Sequence, residues 1–309
     1  MNYYTSMKDL IGNTPLVELT NVGINGNVRA FAKLELWNPG GSVKDRIGKY
    51  MIDDAIERGV LKDGATIVEG TAGNTGLGIA FYAIGLGYKV IFVVPEKFSE
   101  EKQTLMRAFG AEIVNTPKAD GMLGAAAKAE EIKASIPGAV SFQQFKNPAN
   151  PKAHYETTGP EIYDALDGQI DYVVIGAGSG GTYTGVLKYL KERNPNIKGV
   201  LADPLGSVIG GGEHFDYDIE GIGNDFVADT MDINLVDKVI KVSDVDAYEN
   251  ARLLATKEGI IAGSSSGAAL TATLELAKEL EDAGESANIV TLFPDRGDRY
   301  FSKNLYNIL

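Results

Sequence analysis

The chain has 309 residues, 44% of them hydrophobic, and a formal net charge of -13. That length accommodates two domains or one large α/β unit, and the negative charge argues against a nucleic-acid partner or an anionic membrane surface. Cysteine is absent and histidine occurs only as His154 and His214, each read as a structural or surface residue. Disulfides, thiolate nucleophiles and Cys-ligated metals are thereby excluded, and a Ser-His-Asp triad or a metal centre is not expected. No apolar run reaches the roughly eighteen residues of a membrane helix, and Met1-Asn2-Tyr3-Tyr4 lacks the basic and apolar regions of a signal peptide, so a cytoplasmic protein is expected.

From the N-terminus, residues 14 to 19 and 28 to 36 read as two strands joined by a Gly/Asn-rich turn. The turn Asn38-Pro39-Gly40-Gly41 leads into Ser42, which with Asp45 three positions on has the form of a capping box. Val43, Ile47, Met51, Ile52 and Ile56 then recur at helical spacing up to Gly59. Lys44 therefore falls in the first turn of a helix. The positive end of the helix dipole disfavours an ammonium there and favours the neutral amine that attacks a carbonyl; taken alone, Lys44 reads first as a solvated surface lysine, and the chemical reading depends on what else the sequence brings to the amine.

Strand and helix then alternate. Strand Ala65–Glu69 leads to a helix from Thr75 to Gly87, strand Lys89–Val94 to a helix that Ser99 caps and Gly110 ends, and strand Ala111–Asn115 to an Ala-rich helix over Leu123–Ser135, followed by strand Ala139–Gln143. Asn147–Pro151 is turn-forming and without periodicity, and is the expected domain boundary. Beyond it come strand Asp171–Ile175, helix Thr182–Arg193, strands Lys198–Ala202 and Lys238–Val242, helices Val245–Glu258 and Ser266–Asp282, and strand Asn288–Phe293. Such alternation predicts parallel sheets covered by helices on both faces. The glycine-rich Gly206–Gly223 reads as a long functional loop.

Three turns could present backbone N–H groups to an anion. Gly70-Thr71-Ala72-Gly73-Asn74-Thr75-Gly76 lies between a strand and a helix and suits a carboxylate or phosphate. Gly176-Ala177-Gly178-Ser179-Gly180-Gly181-Thr182, likewise placed, has the G-x-G-x-x-G spacing, with Asp203 where a ribose-binding acid would stand; its two hydroxyls and extra glycine suit a phosphate monoester equally well. Spacing leaves a dinucleotide and a phosphate monoester both open. Ala262-Gly263-Ser264-Ser265-Ser266-Gly267 precedes another helix and is accounted for by a serine N-cap.

In chain order, Gly41-Ser42-Val43-Lys44-Asp45-Arg46, Thr71-Ala72-Gly73-Asn74-Thr75-Gly76, Gln144-Phe145 with Asn147–Pro151, Gly178-Ser179-Gly180-Gly181-Thr182 and the Ser264–Ser266 run resemble the cysteine synthase and cystathionine β-synthase family, from about Ile11 to Phe301. The resemblance implies a pyridoxal 5'-phosphate enzyme of two α/β domains, each a mostly parallel twisted sheet flanked by helices, with the cofactor in the cleft between them. Residues 38–147 would form the smaller domain, and 11–37 with 148–309 the larger. It further implies Lys44 as Schiff-base lysine and catalytic base, Gly178, Ser179, Gly180, Gly181 and Thr182 around the cofactor phosphate, Asn74 at the phenolic oxygen and Ser265 at the ring nitrogen. Thr71, Ala72, Gly73, Asn74, Thr75 and Gln144 would surround the substrate carboxylate. Glu220, beside Gly221, reads either as a ligand for the acceptor's ammonium group or as an ordinary solvated carboxylate. A serine hydroxyl, unlike a carboxylate, cannot keep the ring nitrogen protonated, so β-elimination through an aminoacrylate should outrun transamination.

Gly70 and Ala72 replace the Pro and Ser common in the family's carboxylate loop, while Asp203-Pro204-Leu205-Gly206-Ser207 and Glu220–Phe226 resemble the compact bacterial cystathionine β-synthases that prefer O-acetylserine. Asn224 stands where the haem-bearing eukaryotic members carry Tyr. The expected reaction is therefore replacement of acetate on O-acetylserine by homocysteine, with sulfide as the other acceptor and cysteine synthase as the alternative main activity. The resemblance also implies a homodimer and a serine acetyltransferase C-terminal tail as a partner. An NAD(P)-linked oxidoreductase is the rival outside the family, resting on Gly176–Gly181 and Asp203.

Overall fold

The computed structural model describes residues 3–71, 73–96 and 99–306. Among these, β1 (Leu16–Glu18), β2 (Val28–Leu34), β9 (Ala287–Phe293), β6 (Tyr172–Gly176), β7 (Lys198–Pro204) and β8 (Lys238–Val242) lie side by side in that order. Only the β1–β2 pair is antiparallel. A second sheet, all parallel, contains β3 (Thr66–Gly70), β4 (Lys89–Pro95) and β5 (Glu112–Thr116). The expected α/β architecture of mostly parallel sheets flanked by helices is what the chain adopts.

Both sheets are covered on two faces, as parallel sheets require. On the larger, α9 (Ser264–Asp282) packs Leu270, Leu276 and Leu280 on the side of Val174, Val200 and Ile289, while α7 (Gly181–Arg193) packs Val186, Leu187 and Leu190 on the side of Val173, Leu201 and Val290. Adjacent residues thus feed opposite cores, the period of two that a pleated strand imposes. On the smaller sheet, α1 (Lys44–Glu57) and α2 (Asn74–Ala83) bury Ile47, Met51, Leu77 and Ile79 against Ile67 and Phe92, and α4 (Gly121–Ser135) buries Ala125 and Ala129 against Val68 and Val93.

Helices α1 and α2 touch backbone to backbone. A Cβ on Gly78 would stand 2.3 Å from the Lys44 carbonyl oxygen, and one on Gly48 2.5 Å from the Gly78 backbone, so glycine at both positions is what permits the crossing beneath Lys44. Arg46 anchors the same end of α1 to the larger sheet. It pairs with Glu35 and Glu161 at 2.7 Å each, and although burial would raise the Glu35 carboxyl, the Arg46 charge holds it down at about 2.

Five expectations need correction. The serine N-cap expected ahead of α9 is absent: α9 begins at Ser264 behind Gly263 without a side-chain cap, and Ser266 is buried within its first turn. Ser42 and Asp45 do not form a reciprocal capping box: Ser42 Oγ accepts the Lys44 N–H at 3.2 Å, but the Asp45 carboxylate turns away to the Gly40 N–H at 2.5 Å. Ala139–Gln143 is no strand and keeps only a single parallel bridge between Val140 and Ile67. There the Glu69 carboxylate draws in the N–H groups of Phe142 and Gln143, and Gln143 adopts φ 52°, which takes the chain out of an extended course. The boundary at Asn147–Pro151 is helical: α5 (Ala149–Ala153) starts where Asn147 Oδ1 accepts the Ala149 N–H at 2.9 Å, then passes through a π turn, His154–Thr158, into α6 (Gly159–Ala165). Proline inside the pattern hides this segment from periodicity. The α2 helix ends at Ala83 rather than Gly87. Elsewhere α3 (Glu100–Ala108) begins as expected with Ser99 Oγ accepting the Lys102 N–H, and α8 (Asp244–Leu253) runs on through a π turn to Glu258.

Candidate active site

The C-terminal ends of parallel strands are where an open α/β sheet leaves a crevice. At the end of β6, residues 176–180, Thr182, Gly221, Ile222, Val43 and Lys44 line a small cavity. Lys44 is the first residue of α1, as its sequence context predicted. Its amine is pushed down to about 8 by burial, with the nearby Asp295 charge acting in the opposite direction. Desolvation thus favours a neutral nucleophile here.

Across the cavity the 176–182 loop is held from behind. Asn224 Nδ2 donates to the Gly178 carbonyl at 2.9 Å and Thr230 Oγ1 to the Ser179 carbonyl at 2.5 Å. Because a trans peptide points its C=O and N–H in opposite directions, tying back these two carbonyls leaves the N–H groups of Ser179 and Gly180 on the other side. Gly180 has φ 80° and precedes α7 without any side-chain cap, leaving that helix N-terminus open to an anion. Asn150 Nδ2 donates to both Ser179 Oγ and the Gln144 carbonyl, each at 2.9 Å. Thr182 Oγ1 is paired at 3.1 Å with Nε2 of His154, whose Nδ1 is paired with Thr158 Oγ1 at 2.9 Å. Burial, ahead of the Arg46 charge, pushes His154 down to about 3, so the imidazole is neutral at physiological pH.

On the side of the smaller sheet, Thr75 Oγ1 donates to Gln144 Oε1 at 2.6 Å, and Thr71 is buried with its N–H on the Val93 carbonyl. Asn74 opens α2, with its carboxamide between Asp295 at 2.7 Å and Arg299 at 2.6 Å. Ser265 is buried in the first turn of α9, and a Cβ on Gly221 would come within 3.9 Å of its hydroxyl.

Residues 7–295 match the family described as "Pyridoxal-phosphate dependent enzyme". The chain is 49% identical over 306 residues to the O-acetylserine dependent cystathionine beta-synthase of Bacillus subtilis (strain 168), covering 99% of each chain. It is 46% identical over 308 residues to the cysteine synthase of Helicobacter pylori (strain ATCC 700392 / 26695), covering 99% of this chain and 100% of that one. The crystal structure of an O-acetylserine dependent cystathionine beta-synthase from Helicobacter pylori superimposes with a TM-score of 0.93 at 46% identity, over 99% of this chain and 100% of that one. The chain belongs to the pyridoxal-phosphate-dependent enzymes.

A pyridoxal-phosphate enzyme must hold a phosphate dianion and offer an amine to an aldehyde, and the cavity fits both demands. Open N–H groups and the Ser179 and Thr182 hydroxyls lie along one wall, and Lys44 with its lowered proton affinity lines the same space. Of the expected residues, Lys44, Gly178, Ser179, Gly180, Thr182 and Gly221 line one cavity. Gly181 serves the packing behind it, since a Cβ there would sit 2.0 Å from Asn150 Oδ1. Gly73 precedes α2 in an extended conformation, and Ala72 lies outside the described residues. Glu220 is not a freely solvated carboxylate: it pairs at 2.7 Å with the buried Lys102 of α3, and its N–H donates to Ser264 Oγ at 3.1 Å. Asp203 is fully buried and taken by Lys241 Nζ at 2.6 Å and the Gly210 N–H at 2.9 Å, which removes it as a ribose ligand and the dinucleotide reading with it. Sequence reading gave no site role of their own to Asn150, which lies in the Asn147–Pro151 motif, to His154, read as a structural or surface residue, or to Asp295 and Arg299. Their site partners Ser179, Thr182 and Asn74 lie far off in the chain, so spacing does not reveal these roles. The one available signal was an acid just beyond the last strand, at the sheet edge where ligands bind.

Proposed function

We propose that this enzyme catalyses β-replacement on O-acetyl-L-serine, releasing acetate and adding homocysteine to give L-cystathionine, with sulfide as a second acceptor giving L-cysteine. The observation that carries the reading is Lys44 at the mouth of α1, lining one cavity with the uncapped start of α7. The full-length likeness to a Bacillus subtilis relative named for that donor and product supports the substrate assignment. The likeness to relatives named cysteine synthase supports sulfide use as the second reading.

Bound pyridoxal phosphate supplies an electron sink for the pair left when the substrate Cα proton is removed. In this reading Lys44 would hold the cofactor aldehyde, and its amine, once free, would take the substrate Cα proton and later return it. The Cβ–O bond breaks with its electron pair going to acetate. The acceptor sulfur forms the new bond to Cβ as the thiol gives up its proton. Gly178, Ser179, Gly180, Gly181 and Thr182 hold the phosphate, Asn74 the phenolic oxygen and Ser265 the ring nitrogen. Thr71, Ala72, Gly73, Thr75 and Gln144 receive the substrate carboxylate, and Glu220 with Gly221 faces the acceptor. Taking up the acceptor's ammonium would require Glu220 to share or exchange Lys102.

The division into a smaller domain, 38–147, and a larger one, 11–37 with 148–309, is supported by β3, β4 and β5 all falling in the first range and the other strands in the second. A homodimer, a cytoplasmic setting and docking of a serine acetyltransferase tail in the cleft complete the proposal, the first and last supported by the motif resemblance, and the setting by the cysteine-free composition. Initial rates for O-acetylserine, serine and phosphoserine, each crossed with homocysteine and sulfide, test the reaction. O-acetylserine with homocysteine should have the highest kcat/KM, and equal turnover of free serine, or no cystathionine from any donor, would overturn it.

A further inference from the structure

Asp295 follows β9 and Pro294 and is only 1% exposed. Its backbone bridges to Ser42, two residues before Lys44, and its carbonyl accepts the Gly263 N–H at 3.1 Å. Gly263 leaves room for the carboxylate, since a Cβ there would lie 2.2 Å from Asp295 Oδ1. Oδ2 accepts from Asn74 Nδ2 at 2.7 Å and from the Tyr300 hydroxyl, while Arg299 Nη1 donates to Asn74 Oδ1 at 2.6 Å. A carboxamide with its nitrogen against a carboxylate and its oxygen against a guanidinium has one orientation, because a flip would set acceptor on acceptor and donor on donor. One N–H of Asn74 then remains to be given to a ligand.

We propose that Asp295 is a positioning residue of the active site: together with Arg299 it locks the Asn74 carboxamide so that its second N–H is presented to the cofactor ring. The inference rests on the pyridoxal-phosphate reading for the role of Asn74; its own content is that Asp295 acts through Asn74. Other buried ionic groups lack this link. The Arg46, Glu35 and Glu161 cluster ties helix to sheet, and Asp203 with Lys241 ties down the 206–223 loop.

A double-mutant cycle on the cofactor-loaded enzyme tests the proposal, using D295A, N74A and the pair, with the visible absorption spectrum and steady-state kinetics read together. D295A should shift the cofactor band and lower kcat by about 100-fold, the scale of loss for a misplaced active-site group, with KM for O-acetylserine within about threefold. The double variant should be no worse than N74A. Additive losses, or a D295A spectrum identical to the parent, would overturn the inference while leaving the cofactor reading intact. An N74A enzyme with unchanged spectrum and kcat would overturn the inference together with the role assigned to Asn74. D295N, which keeps the side-chain shape and removes the charge, carries the same cycle if D295A does not fold.

Discussion

The 176–182 loop at the larger sheet and the 70–76 loop at the smaller are both glycine-rich turns between a parallel strand and a helix, yet they are supported differently. Behind the first stand Asn150, His154, Asn224 and Thr230, which reach its carbonyls and hydroxyls from two separate stretches of chain. In the second, Thr75 meets Gln144 and Asn74 meets Asp295 and Arg299, so these side chains are themselves the meeting points. An anion site made of backbone N–H groups works only if the carbonyls on the same peptides are satisfied elsewhere, which makes the first loop part of the fold. A site made of side chains can change one hydroxyl at a time.

The largest effect should come from Lys44, which belongs to neither loop. K44A should lose at least ~10³-fold in turnover while retaining phosphate-driven cofactor uptake, checked by single-turnover assays beside an absorbance titration. Undiminished turnover would sink its assignment. The contrast between the loops is then tested by N150A and T75A. Leaving Ser179 Oγ and the Gln144 carbonyl without their shared donor should weaken cofactor affinity by about 10- to 100-fold. T75A should leave cofactor affinity unchanged and raise KM for O-acetylserine by about tenfold. Equal effects of both variants on cofactor affinity would erase the distinction.

The smallest effect lies in the pH dependence of stability. His154 has a folded-state pKa of about 3 against an ordinary 6.5, so the unfolded chain binds the extra proton. Its contribution is complete above pH 6.5 and is lost as pH falls toward 3, at about 1.4 kcal/mol per pH unit. Asp45 acts the other way. Burial pushes its carboxyl up to about 7 from 3.8, despite the Gly40 N–H, so its contribution is complete below pH 3.8 and is lost as pH rises through 7. The two slopes oppose each other over pH 4–6.5 and partly cancel in the parent protein. Urea unfolding of H154N should expose the Asp45 slope, with stability falling as pH rises. A variant whose profile parallels the parent would show that His154 carries its proton in the folded protein.

Much of the layout was legible from the chain itself. Strands at Lys89, Lys198 and Lys238, the α7 and α9 helices, and Lys44 in the first turn of α1 all follow from short-range signals, apolar period and glycine stops, although no serine side chain caps these three helices. The run Ala139–Gln143 has strand composition, but Glu69, more than seventy residues earlier, claims its N–H groups. The Asn147–Pro151 stretch became helix, with Asn147 Oδ1 accepting the Ala149 N–H and a π turn at His154–Thr158 continuing it. Glu220 looked free until α3 brought Lys102 to it.

By itself the sequence determined which residue types were available at each strand end, and with them the amine, the open N–H groups and the hydroxyls, because backbone propensity and capping act within a few residues. Tertiary structure alone decided how those groups are aimed. Asn150 joins Gln144 to Ser179, and Asp295 and Arg299 grip Asn74 across more than two hundred residues. The direction of a buried hydrogen bond is set by whichever partner folding delivers to it, and that partner has no fixed spacing along the chain.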